Sequence, residues 1–438
     1  MTGHTVTTVL LRGGIGADGA PLELRTDPST GTITAAGASV VPMPGERVIN
    51  CKGMVLLEAP VEPHAHLDKA LSADAAPNPV GDLPGAVAAW RAYRPTLTHD
   101  DIATRARTAA LELVAHGTTQ IRSHVDVGDG IGLRALEALI EVREQLRAEG
   151  LAELQLVALI SPPTSGEAGE AMRAMVRDAM ALGADVVGGA PHIDPDPATA
   201  TRELVALAAE LGAPVDLHVD ETLSPGALWL RDYADAVAEA GDAIPCATAG
   251  HCVSLGVQAP DVQGEVAAQV ASSGINIVTL PATNLYLQSR GIDQSPPRGL
   301  TAVRALREAG ACVAAGADNV RDPFNAVGRS DALETAALLV MAAHLSPADA
   351  WDAVSAQGRR AMGLPPAPLT VGSPAEVLAV RGTSLADAVA RASEDRVVIH
   401  RGALVARTTV ETRFEPRTPP TTPAAPNSAA TPTLVSSP

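Results

Sequence analysis

Two histidines one residue apart stand in the stretch Glu62-Pro63-His64-Ala65-His66-Leu67-Asp68-Lys69. It follows an apolar run, Met54-Val55-Leu56-Leu57, with the composition of a buried strand. On an extended backbone successive side chains alternate in direction, so His64 and His66 point the same way and can grip one metal ion. Such a pair is common by itself, and further ligands must come from elsewhere in the chain. His218 ends one apolar run and is followed by Asp220 and Glu221; Asp318 and Asn319 follow another. His64, His66, His218 and Asp318 form a set of three nitrogens and one oxygen that suits a single borderline divalent ion, Zn or Fe(II). Such an ion leaves room for a water and lowers its pKa towards 7. Asp318 would then bind the ion and receive the water's proton, His251 would aim the hydroxide, and Glu221 would carry a proton to the leaving side of a substrate.

These residues need a scaffold that delivers them to one place. From residue 98 onward helical patterns alternate with short apolar or β-branched runs. Gly117, Gly150, Gly183, Gly212, Gly241, Gly274 and Gly310 each fall where a helix ends. The expected strands are 120–125, 154–160, 185–189, 215–218, 246–250, 276–280 and 312–315, with 54–61 as the first. Thr98 and Asp101 open one helix as a capping-box-like pair, and Ile102, Ala106, Ala109 and Leu113 repeat at helical spacing behind them. Eight strand–helix units predict an α/β fold, a (β/α)8 TIM barrel, with its site at the C-terminal ends of the strands. A doubly wound open sheet would want a glycine-rich phosphate turn after the first strand, and Pro63-His64-Ala65-His66 stands there instead. Residues 5–11, 22–25, 32–35 and 48–51 read as short strands, as do 375–380, 397–400 and 404–407. We therefore expect residues 1–53 plus 370–412 to build one small β-sandwich domain from both chain ends, and 54–369 to form the barrel. Residues 70–97 and 281–299 read as long loops on the site face, and 416–438, rich in Pro, Thr, Ala and Ser, as a disordered tail.

Six of the eleven histidines fall at strand ends, which is what turns single candidates into a constellation. His124 with Asp126, and His192 after Pro191, join those already named. A second metal bridged by a carbamylated lysine on the fourth strand has no candidate, since Lys52 and Lys69 are the only lysines. A net charge of −18 and the lack of any basic run speak against a nucleic-acid partner. No apolar run is long enough to span a membrane, and no basic-then-apolar leader opens the chain. Cys51, Cys246, Cys252 and Cys312 have no zinc-knuckle or disulfide-framework spacing, which suits free thiols in the cytoplasm.

The set of motifs, in this order, resembles the amidohydrolase superfamily, within it the cytosine deaminase-like branch. The matching segments include Val61-Glu62-Pro63-His64-Ala65-His66-Leu67-Asp68, Arg122-Ser123-His124-Val125-Asp126, Pro191-His192, Asp216-Leu217-His218-Val219-Asp220-Glu221, Leu287-Gln288-Ser289-Arg290 and Asp318. The resemblance implies a mononuclear metal hydrolase of C–N bonds in small cyclic amidines. It places His64, His66, His218 and Asp318 on the metal, Glu221 on the proton shuttle and His251 beside the water. It puts Ser161, Asn319, His192, Asn284 and Gln288 near a small heterocyclic substrate. Ser161 replaces a glutamine, and Asn319 an aspartate, that cytosine deaminases of this kind carry, which argues for a ring other than cytosine. Hydrolysis of an exocyclic N-alkyl or cyclic amide bond, as in N-isopropylammelide hydrolases, is the alternative chemistry, and a non-catalytic binding module the alternative class. Relatives of this kind commonly associate, so a homo-oligomer stands open.

Overall fold

A computed structural model describes residues 7–415. The start of the expected 5–11 strand and the whole 416–438 tail lie outside them. Eight parallel strands form the barrel: β1 Glu62–Ala65, β2 Gln120–Val127, β3 Glu153–Ile160, β4 Val186–Gly189, β5 Val215–Val219, β6 Ala247–His251, β7 Asn276–Thr279 and β8 Val313–Ala315. Each pairs in parallel with the next. The ring closes between its ends: Ala65 bridges Asp318, the His66 N–H donates to the Asp318 carbonyl (3.2 Å), and the Asp318 N–H donates to the His64 carbonyl (3.0 Å). Two expected metal ligands thus sit on one side of the closing seam and a third on the other.

With aromatics at 2% of the chain, the layer between strands and helices is filled by Ala, Val, Leu and Ile. The helix at His99–Ala115 shows how. Thr98 accepts the Asp101 N–H at its start, and Ile102, Ala106, Ala109 and Leu113 are buried at the predicted spacing. Gly212 and Gly274 end their helices in the left-handed region, at φ 59° and 75°, where a side chain would be strained.

The other sheet is mixed and also has eight strands. Its hydrogen-bonded order is 403–408, 396–400, 377–381, 54–58, 9–15, 21–27 and 32–37, with 47–50 pairing on 9–15. The structure corrects one boundary. The expected first barrel strand, 54–61, is two strands: Met54–Glu58 pairs antiparallel with Val377–Arg381 in the small domain, and the barrel starts at Glu62. An unbroken run of buried residues hid the break, since both sheets bury that segment. The loop expected at 70–97 carries a helix of its own, α1 Leu83–Tyr93, capped by Asp82, and that at 281–299 opens with the short helix Pro281–Leu287.

The two parts are tied by a fully buried ion pair. Arg396, on a small-domain strand, meets Asp331 through both carboxylate oxygens, at 3.0 and 2.6 Å. Asp331 also caps the helix Ala332–Ala342 that follows β8. Removing one partner strands a buried charge. Asp331→Ala is expected to lower unfolding stability by about 3–5 kcal/mol, read as a drop in the urea midpoint. A midpoint within error of the wild type would show that the pair does not hold the parts together.

Candidate active site

The C-terminal ends of the strands converge on a cavity of about 110 Å³. On its floor His64 Nε2 and His66 Nε2 each lie 3.2 Å from His218 Nε2, and Asp318 Oδ1 lies 3.3 Å from His66 Nε2 and 3.8 Å from His64 Nε2. A tetrahedral site with ligands about 2.0–2.2 Å from the ion has edges of roughly 3.3–3.6 Å. The donor set therefore fits a divalent ion in both size and chemistry. Burial, reinforced by the neighbouring imidazoles, drives the His64 and His218 pKa values well below the usual histidine range. Both rings are thus neutral and carry a lone pair for the ion. Space for the His64 ring depends on Gly250, where a Cβ would come within 2.8 Å of His64 Cε1.

Asp318 divides its oxygens. Oδ1 faces the histidines, while Oδ2 is buried with no hydrogen-bond partner, 4.0 Å from His251 Nε2. His251 Nε2 is likewise unpartnered. Its Nδ1 lies 3.0 Å from Asn284 Oδ1, so with Nδ1 donating there, Nε2 turns a lone pair to the cavity. Both His251 and Asp318 hold a left-handed backbone, φ 68°, a strain of roughly 1–3 kcal/mol each. Glu221 follows β5; its carboxylate lies 3.6 Å from His251 Nδ1 and 3.9 Å from His192 Nε2. Burial, then the Asp318 charge, pushes its pKa well above the carboxylate range. His192 Nδ1 donates to the His218 carbonyl (3.0 Å), and burial brings its pKa down to about 4.

The expected site residues therefore separate into groups. His66, His218, Asp318, Glu221, His251, His192, Ser161 and Asn319 line the cavity, and His64 completes the floor from beneath. Asn284 is fully buried behind His251 and meets its ring, outside the cavity lining. Gln288 borders a second, outer cavity and donates to the Glu221 carbonyl. His124 is also buried below, its ring 3.9 Å from that of His64. Asn319 has its amide engaged by Thr283 and Asp322.

Sequence reasoning missed a second cluster on the opposite wall. Lys69 Nζ meets Asp126 Oδ1 at 2.6 Å and Asp68 Oδ2 at 3.1 Å, and sits 5.3 Å from the Trp90 ring. Trp90 Nε1 donates to Asp126 Oδ2 (2.7 Å), and Arg94 reaches both Asp126 and Ser161 Oγ (3.1 Å). Burial would raise the Asp126 pKa, but the Lys69 ammonium and the Arg94 and Trp90 donors outweigh it and hold the carboxyl below its usual range. Ser161 thus comes with a guanidinium at its shoulder, supplied by α1 and the turn after it. The available signal was the charge of Lys69 in an apolar context, one residue past the HxHLD stretch.

Residues 91–410 match the sequence model of the amidohydrolase family. The chain is 34% identical to a pterin deaminase of Rhizobium rhizogenes over 349 residues, 78% of this chain and 79% of that protein. It superposes on a 5-methylcytosine deaminase from Klebsiella pneumoniae liganded with phosphonocytosine, with a TM-score of 0.82 and 27% identity, covering 93% of this chain and all of the other. An N-isopropylammelide isopropylaminohydrolase from Burkholderia multivorans superposes with a TM-score of 0.78 and 31% identity, over 92% of this chain and 98% of that one.

If the four donors hold the ion, His218→Asn should reduce Zn retained after gel filtration from about one equivalent to below about 0.1. A full equivalent retained, measured by mass spectrometry of the metal, would sink the ligand assignment.

Proposed function

The chain belongs to the amidohydrolase family, and from that premise we propose that it deaminates a cyclic amidine by metal-dependent hydrolysis, with a pterin-type ring as the first candidate substrate. The observation that carries the reading is the cluster of His64, His66, His218 and Asp318 donor atoms with Glu221 in the same cavity. When bound, a divalent ion supplies Lewis acidity and a water of lowered pKa; this donor set accepts Zn or Fe(II) alike.

The residues do the rest. Asp318 Oδ2, free of other partners, takes the proton that the attacking water loses. His251 Nε2 accepts a hydrogen bond from that water and so fixes its approach, held in turn by Asn284. As water's oxygen adds to the amidine carbon, Glu221 gives its proton to the exocyclic nitrogen, and ammonia leaves with an oxo ring behind. Trp90 and Phe324, with Leu159, Ile160 and Ile193, also line the cavity and supply apolar walls for a flat ring. Arg94, Ser161 and Lys69 provide donors for the ring's acceptor edge. Pterin fits the replaced glutamine, because a shorter Ser161 with Arg94 beside it reads a different edge from the one cytosine presents.

The likeness to the Burkholderia enzyme favours a second reading, loss of an N-alkylamine from a triazine by the same residues. The free cysteines support a cytoplasmic setting.

A screen of metal-loaded protein against pterin, cytosine, isocytosine, creatinine and aminotriazines should release ammonia fastest with pterin. Alkylamine from an N-alkyl triazine, with no ammonia from any ring, would transfer the assignment to the second reading. Glu221→Gln should keep its metal and lose about 10²–10⁴ in kcat; activity near wild type would remove Glu221 from the proton transfer.

A further inference from the structure

We infer that the substrate carries an extended anionic substituent, a carboxylate-ended chain, held outside the ring pocket against Arg290. This rests on the hydrolase reading above. The ring cavity does not end at Glu221. It shares Leu83, His192, Ile193 and Glu221 with an outer chamber of about 560 Å³, some five times its size. A bare ring engages only the inner space and leaves the outer one to water. The walls of the outer chamber come from the start of α1, from residues 222–229 after β5, and from residues 287–290 after β7.

Arg290 brings a guanidinium to the lining of that chamber. Acidic residues outnumber basic ones 50 to 32, yet Arg290 has no carboxylate among its partners in the described residues. Its Nε and Nη2 donate to the Tyr286 carbonyl at 2.9 and 2.5 Å, and its guanidinium lies 4.8 Å from the centre of the Tyr286 ring. Gly81 packs against its other side, where a Cβ would stand 3.0 Å from Cζ. The guanidinium, exposed to solvent, is therefore held in place by a carbonyl, a ring and a glycine, with no carboxylate paired to it among the described residues. Arg94, in the ring cavity, is instead tied to Asp126 and Asp129. Of the carboxyls bordering the outer chamber, Asp82 accepts the Gly85 N–H at 2.8 Å, where the helix end offsets its charge, and Glu221 turns to the inner site, 3.6 Å from His251 Nδ1 and 3.9 Å from His192 Nε2. A planar fork fixed in this way suits a carboxylate.

The test uses metal-loaded enzyme and three versions of one ring: unsubstituted, bearing a carboxylate-ended chain, and bearing an amide-ended chain of equal length. The carboxylate version should exceed the amide version by about fivefold in kcat/KM, mainly through KM. The advantage should shrink in about 0.5 M salt and vanish in Arg290→Ala, which leaves turnover of the unsubstituted ring unchanged. Equal handling of the two tails by the wild type, or a preference that survives Arg290→Ala, overturns the inference. Calorimetric binding of the same three compounds separates the two levels. A carboxylate preference in binding without turnover keeps the subsite and removes the deaminase reading, and binding with no preference, or no binding at all, removes the subsite.

Discussion

The closure of the barrel between its first and last strands is the constraint on which the rest of the site depends. Main-chain bonds from His66 to Asp318 and from Asp318 to His64 lock the seam, and the side chains of the same three residues meet at the proposed metal site. Glu62 ties the seam from within, accepting the His64 N–H through Oε1 (3.1 Å) and the Ala317 N–H through Oε2 (3.0 Å). Burial pushes its pKa up to about 8, so this carboxyl satisfies backbone donors without bringing a full charge under the ion. Backbone register thus sets the spacing of the donors before any side chain chooses a rotamer.

Around that seam the protein keeps two electrical environments apart. On the floor, burial holds the His64, His124, His218 and His251 pKa values below the usual histidine range and that of Glu221 above the usual carboxylate range. The opposite wall is fully charged, with Lys69 and Arg94 balanced by Asp68, Asp126 and Asp129. The first environment leaves lone pairs and protons free to move; the second holds α1 against the barrel through Trp90 and Arg94 and offers fixed donors. Each needs the other nearby, since a ring must be gripped on one edge while it reacts on the other.

Much of this was legible in the residues alone. The barrel could be read from glycine-punctuated strand and helix patterns, and the convergence of His64, His66, His218 and Asp318 from their places at strand ends, because both follow from local periodicity. The split of 54–61 between two sheets was not, since a strand buried in either sheet looks the same. Nor was the Lys69 cluster, because Lys69, Trp90, Arg94 and Asp126 meet only after α1 folds over the barrel mouth, a contact that no spacing in the chain encodes. Asn284 was placed near the substrate by resemblance; the fold puts it behind His251 instead, 3.0 Å from the ring's Nδ1.

The order of assembly follows from where the donors lie in the chain. His64 and His66 offer two nitrogens at once, but His218 and Asp318 belong to the fifth strand and the turn after the eighth. An unfolded chain can hold an ion only weakly through the first pair, because bringing the distant donors in costs the entropy of closing very long loops. If these residues hold the ion, a complete cage exists only once the first, fifth and eighth strands have come together. On that reading, metal affinity reports on the whole ring rather than on the His64–His66 pair alone, so a change that loosens the seam would weaken the site without touching a donor.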